Sequence, residues 1–263
     1  MKKTGFILLL LICAFSIKAN QPVDCVDYVS TLVGSQSKPS LSTGNTYPAI
    51  AVPWGMNFWT PQTGKMGDGW QYTYDADKIR GFKQTHQPSP WINDYGQFSI
   101  MPVTGKAIFK EDDRASWFSH KSEEARPYYY KVYLADYDVT TEITSTQRAA
   151  MFRFTFPKEK NSFVVIDAMD DGSYIKIIPS ENKIIGYTTK NNGGVPDNFK
   201  NYFVITFSKP FTYTAAVRNN SIETDKLESK ENHSGAIIGF STGKGEIVTA
   251  SVASSLLVSN RQN

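Results

Sequence analysis

Tyr202-Phe203-Val204-Ile205-Thr206-Phe207 decides the fold class. Six consecutive apolar or β-branched residues are too few for a helix and have the composition of a strand central in its sheet. The chain around it is built the same way. Upstream, Val139-Thr140-Thr141-Glu142-Ile143-Thr144-Ser145-Thr146 is half polar, as a strand with one wet face requires. Further short runs rich in β-branched and aromatic residues occupy 97–103, 128–134, 149–156, 162–168, 174–178, 184–188, 212–217, 236–240 and 247–253. Turn formers separate them: Asp171-Gly172, Asn192-Gly193-Gly194, Lys209-Pro210, Asn219-Asn220 and Gly243-Lys244-Gly245. Short strands at regular spacing predict an all-β protein, a large antiparallel β-sandwich. Residues 26–33 read as a short helix, 34–70 as loop and short strand, and the charged stretch 111–126 as a loop. No Pro/Ser linker divides the chain, so 24–258 reads as one domain, with 259–263 beyond its last strand.

The N-terminus reads differently. Lys2 and Lys3 precede an apolar run from Gly5 to Phe15, and Ile17-Lys18-Ala19 ends on a small residue. This is the layout of a secretory signal peptide over 1–19, and the run is too short to span a bilayer. A lipoprotein signal through Cys13 is the poorer fit, because Ile12 is large for that position. The mature chain is then periplasmic or secreted. The formal charge of +3 belongs to this leader, since Lys2, Lys3 and Lys18 sit in it without an acid. Without them, basic and acidic residues balance. With Cys13 removed, Cys25 has no partner for an intrachain disulfide and reads as an unreactive thiol.

Several chemistries lack their signals. There is no GxxxxGK[ST], no GxGxxG, no GxSxG and no HExxH. His86, His120 and His233 are not at metal-ligand spacing, and His120 and His233 read as members of polar loops. The 35 aromatic residues (5 Trp, 14 Tyr, 16 Phe) lack the basic groove that nucleic-acid binding pairs with them. Glu111, Asp112 and Asp113 read as a solvated charge run, Glu142 as part of a wet strand face, and Asp170-Asp171 as a turn. No pair of carboxylates stands out as catalytic.

The unusual residues crowd between 44 and 96. They are Gly44-Asn45-Thr46-Tyr47-Pro48, Pro53-Trp54-Gly55-Met56, Gly67-Asp68-Gly69-Trp70, and the stretch from Thr85 and His86 through Gln87, Trp91 and Asp94 to Gly96. Indole faces suit sugar C–H surfaces, and Asn, Gln, Asp and His suit vicinal hydroxyls. Pro and Gly fix loop shape and lower the entropy lost on binding. Trp54 and Trp70 read as cleft or core, with core favoured.

At these residues the chain resembles the N-terminal domain of glycoside hydrolase family 92. The similarity takes in Val26-Asp27-Tyr28-Val29, Gly44-Asn45-Thr46-Tyr47-Pro48, Pro53-Trp54-Gly55-Met56 and Gly81-Phe82-Lys83-Gln84-Thr85-His86. It is most specific over His86-Gln87-Pro88-Ser89-Pro90-Trp91-Ile92-Asn93-Asp94-Tyr95-Gly96 and continues through Asp136-Tyr137-Asp138-Val139, Thr144-Ser145-Thr146-Gln147-Arg148 and Phe154-Thr155-Phe156-Pro157. Tyr47 departs from the family, where many members carry His. The resemblance implies a calcium-dependent, inverting exo-α-mannosidase acting on mannose-containing glycans. It implies a supersandwich-like N-terminal domain packed on an (α/α)6 barrel, with the active site between them. The catalytic acid, the base and most calcium ligands would come from the barrel, which is expected to be absent here and could be separately encoded, with 259–263 the truncated start of the linker to it. Carried onto this chain, His86, Gln87, Trp91 and Asp94 would contact sugar in the shared cleft, with Gly44 and Asn45 in a second loop there. His86 and Asp94 acting only as a loop brace is the competing reading. A stand-alone carbohydrate-binding protein and an inactive fragment are the alternatives to the substrate-binding half of a mannosidase.

Overall fold

The computed structural model describes residues 25–36, 46–66, 71–86 and 94–256. Residues 1–19, where a signal peptide is expected, and the last seven residues lie outside that set. The described residues form the predicted antiparallel sandwich. One sheet has seven strands in the order β1 (Phe58–Gln62), β3 (Gly81–Thr85), β4 (Ser99–Thr104), β10 (Glu159–Asp167), β17 (Ser234–Thr242), β14 (Tyr213–Arg218) and β15 (Ser221–Glu223). The other has nine, in the order β16 (Glu228–Glu231), β11 (Ser173–Ile178), β12 (Lys183–Thr188), β13 (Asn201–Phe207), β18 (Glu246–Ser255), β9 (Ala149–Phe156), β8 (Val139–Ser145), β7 (Tyr129–Leu134) and β6 (Glu124–Arg126). A small ribbon pairs β2 (Lys78–Ile79) with β5 (Ser116–Trp117).

β13 is central in its sheet, as its composition predicts. Its apolar run does not mean burial on both faces. Phe203, Ile205 and Phe207 enter the core while Val204 is exposed, the period-2 pattern of a sheet with one wet side. The two sheets meet through aromatic rings. Trp59 of β1 sets its edge against Phe98 at 5.5 Å and Phe152 of β9 at 4.9 Å, and Phe98 stacks on Phe203 at 4.3 Å. Truncating a buried aromatic of this kind to Ala typically costs about 3–5 kcal/mol.

Four local expectations differ from the structure. Residues 26–33 hold only a 3₁₀ turn, Cys25–Tyr28, with Tyr28, Val29 and Val33 exposed, so no apolar face docks there to sustain a helix. The charged stretch 111–126 contains β5, a 3₁₀ turn at His120–Ser122 and β6. Its charges hide the strands because one of them, Glu123, is fully buried and accepts hydrogen bonds from Tyr72 (3.0 Å) and Tyr130 (2.6 Å). Glu142 lies on the outer face of β8 but is shielded there: Arg153 forks onto it and the Tyr129 hydroxyl donates to it. His233 is buried, donating from Nε2 to Asp167 at 2.7 Å, and His120 stacks on Tyr74 at 3.9 Å, so neither sits in a solvated loop.

Candidate functional site

β3 ends at Thr85, His86 follows, and Asp94-Tyr95-Gly96 leads the chain back towards β4. The two ends of this excursion are clipped together by one carboxylate. The His86 backbone N–H lies 3.0 and 2.9 Å from the two Asp94 oxygens, and the Tyr95 N–H donates to the first of them at 2.8 Å. Asp94 is buried, and desolvation raises its pKa above the ordinary carboxylate value.

The His86 ring lies nearly parallel to Tyr95, with centroids 5.5 Å apart, and its Nδ1 is 2.7 Å from the Tyr95 carbonyl. A carbonyl only accepts, so Nδ1 carries the proton. Burial lowers the His86 pKa, which keeps the ring neutral near pH 7. Nε2 is therefore a bare acceptor. It is buried and has no hydrogen-bond partner among the described residues. Buried polar atoms are ordinarily paired, so this atom asks for a donor.

Gly96 fixes the far side of the turn. Its φ is 66°, a region open to glycine, and a Cβ there would come 2.7 Å from Asn201 Cβ and 3.3 Å from the His86 ring. Its N–H donates to the Lys190 carbonyl at 2.7 Å, and its carbonyl accepts from Asn201 Nδ2 at 2.6 Å. Asn201 also donates to Gln84 Oε1 at 3.1 Å, and Gln84 Nε2 donates to Ser254 Oγ at 2.6 Å. Asn57 Nδ2 reaches the same hydroxyl at 3.4 Å, and Asn192 Nδ2 donates to the Asp94 carbonyl at 3.3 Å. Lys190 is held between Asp170 and Asp171, at 2.6 and 2.7 Å. The ends of β3, β12, β13 and β18 thus converge on one buried polar network at one end of the sandwich.

Of the residues the sequence nominates, His86 and Asp94 are brought together. Gln87, Trp91, Gly44, Asn45 and Trp70 lie outside the described residues. Tyr47 is buried, its hydroxyl 2.6 Å from that of Thr85, so it braces the end of β3. Trp54 is not core: it is 98% exposed, at a φ of 62°. Asn201, Gln84, Ser254 and Lys190 escaped the sequence reading. Gln84 lay inside a matched motif, and Asn201 is the polar residue that opens the apolar run of β13. Among the described residues no group of three or more His, Cys, Asp or Glu side chains converges as an ion site. No helix among them is long and apolar enough to cross a membrane.

Residues 28–255 match the glycosyl hydrolase family 92 N-terminal domain. A family GH92 inverting mannosidase of Bacteroides thetaiotaomicron superposes with a TM-score of 0.88 and 44% identity, over 91% of this chain and 32% of that one. A family GH92 α-mannosidase of the same organism superposes with a TM-score of 0.76 and 31% identity, over 89% of this chain and 34% of that one. An uncharacterized secreted glycosidase of Arthroderma benhamiae is 26% identical over 148 residues, 54% of this chain and 18% of that protein. The chain spans about a third of the length of these solved structures. The family match over residues 28–255 and the superposition over 91% of the chain agree: the chain belongs to glycosyl hydrolase family 92, whose N-terminal domain it carries.

Proposed function

We propose that this chain is the substrate-binding part of a secreted, inverting exo-α-mannosidase, and that it holds a terminal mannose at the end of the sandwich where His86 stands. The observation that carries this reading is the buried, unpartnered Nε2 of a neutral His86, an acceptor for a sugar hydroxyl. Asp94 shapes the loop rather than meeting the sugar, because its oxygens already accept backbone N–H groups. Gln87, Trp91, Gly44 and Asn45 are proposed to complete the contact.

Inverting hydrolysis needs a carboxylic acid at the leaving oxygen and a carboxylate about 6.5–9.5 Å away to activate water. Asp94 is engaged as a brace, and Asp167, Glu123 and Glu142 are each locked into structural pairs. We therefore assign binding and orientation to this chain, and the acid and base to another part of the assembly. Calcium, where the enzyme uses it, would polarise mannose hydroxyls.

Calorimetric titration of the chain with methyl α-mannoside tests the binding reading. Heat of binding is expected from the wild type and not from His86→Ala with an unchanged melting temperature. Absence of heat from a folded wild type at millimolar sugar contradicts it. In parallel, an aryl α-mannoside with calcium should not be turned over by this chain, and measurable turnover would place the acid and base within it.

A further inference from the structure

A depression of about 490 Å³ opens on the nine-stranded sheet, beside the ends of β11, β12 and β16. Tyr187, Thr189, Lys200, Lys230, Glu231 and Asn232 line it. Two cations lead into it. Lys230 stands directly across from Tyr174 of β11, and Tyr174 directly across from Tyr187 of β12. Two strand spacings put the Lys230 and Tyr187 backbones about 10 Å apart. The Tyr174 and Tyr187 rings stack within that span, with centroids 5.5 Å apart. Lys200 holds its ammonium 4.4 Å from the centre of the Tyr187 ring, so the ring fixes where that charge sits.

Neither lysine has a carboxylate partner among the described residues, whereas Lys176, Lys183, Lys190 and Lys209 each have one. The carboxylate in the lining, Glu231, is already neutralised: Arg218 donates to it from Nε at 2.9 Å and also from Nη2, and Asn219 Nδ2 donates to it at 3.4 Å. The Thr189 hydroxyl is engaged by the Asp171 and Gly172 carbonyls. Asn232 is exposed, and its backbone carbonyl accepts from the Gly172 N–H at 2.9 Å. The depression therefore offers two ammoniums and an amide to a ligand and no free anion. Like charges gathered in one place repel, and an oxyanion between them turns that repulsion into attraction. The depression is larger than a bare oxyanion, and its tyrosine wall suits the C–H face of a sugar ring.

We infer that this depression is a second binding site, separate from the one at His86, that takes a sugar carrying an oxyanion, a uronate carboxylate or a sulfate ester, between Lys200 and Lys230. It stands independently of the mannose-binding reading.

The test is calorimetric titration of the full chain at low salt with methyl β-glucuronide, glucose 6-sulfate, methyl β-glucoside and sodium sulfate. At least one of the two anionic sugars is expected to bind, more tightly than the neutral glucoside and than sulfate alone, and to weaken as salt is added. Lys200→Gln and Lys230→Gln are each expected to weaken that binding about twofold to fivefold, the range an exposed ion pair supplies, with melting temperatures unchanged. Lys176→Gln, on the same sheet but outside the depression, is expected to leave it as it is. Binding unmoved by both lysine variants, or weakened as much by Lys176→Gln, overturns the site. Sulfate binding as tightly as the anionic sugars overturns the sugar assignment, and a folded wild type that binds neither anionic sugar overturns the inference altogether.

Discussion

Arg114 and Asp167 meet at 2.9 Å with both side chains closed off from solvent. Asp167 also accepts from His233 Nε2 at 2.7 Å and from the Met169 N–H at 3.0 Å, while Arg114 Nε donates to the Arg80 carbonyl at 2.9 Å. Burial alone would raise the Asp167 pKa, but Arg114 and His233 together hold it well below the ordinary carboxylate value. Removing one partner of such a pair strands the other charge. Arg114→Met should lower stability by about 3–5 kcal/mol, whereas Arg114→Met with Asp167→Leu should recover most of the loss. Urea denaturation of the three proteins checks both.

The third member makes stability depend on pH. Burial lowers the His233 pKa, but the hydrogen bond and charge of Asp167 outweigh it, so the value in the folded protein stands above that of the unfolded chain. A raised folded pKa gives stability that is complete below the unfolded value of about 6.5 and lost as pH rises through the folded value. The stability advantage of wild type over His233→Asn should therefore be largest near about pH 5.5 and smaller near about pH 8.5, read by denaturation at both. An advantage that grew with pH would contradict this pairing.

Gly96→Ala should be costly for two separate reasons. The left-handed backbone disfavours a side chain, and the new methyl would press on Asn201 and His86. A loss of about 1–3 kcal/mol is expected, with the Asp94–His86 clip loosened. Thermal melts give the first, and the chemical shifts of the His86 and Tyr95 amides give the second.

Sugar affinity should follow the protonation of His86, with its midpoint displaced to the acid side of an ordinary histidine switch. Its pKa is lowered by burial, so the acceptor on Nε2 persists from neutral pH down past the usual histidine value of about 6.5. Binding of methyl α-mannoside should be flat across that range and weaken only in more acidic solution, where Nε2 gains a proton and can no longer accept.

The strands of this fold could be read wherever apolar and β-branched residues clustered, as in β13 and β9. They were hidden where polar residues are buried. β1 contains Pro61, and β3 reads Gly81-Phe82-Lys83-Gln84-Thr85, yet all five residues of β3 are inaccessible to solvent. The reason is a polar layer over that part of the sheet, in which Lys83 donates to Gln71 at 2.8 Å and Tyr47 meets Thr85. Composition cannot reveal such a layer, because each residue's partner is distant in sequence. The site divides in the same way. His86 and Asp94 lie in a stretch whose mix of Pro, Trp, Asn and Gly marks it out locally. Asn201 and Ser254 act across 105 and 170 positions, on Gly96 and Gln84 respectively, and only the folded register brings them there.

The most direct test of the central claim is the nitrogen resonance of His86 Nε2, followed by NMR in a chain with only three histidines. At neutral pH the account predicts a protonated Nδ1 and a bare Nε2, and a shift of the Nε2 resonance towards its hydrogen-bonded position as methyl α-mannoside is added. A resonance unmoved under saturating sugar, or a ring already protonated at Nε2, would contradict it.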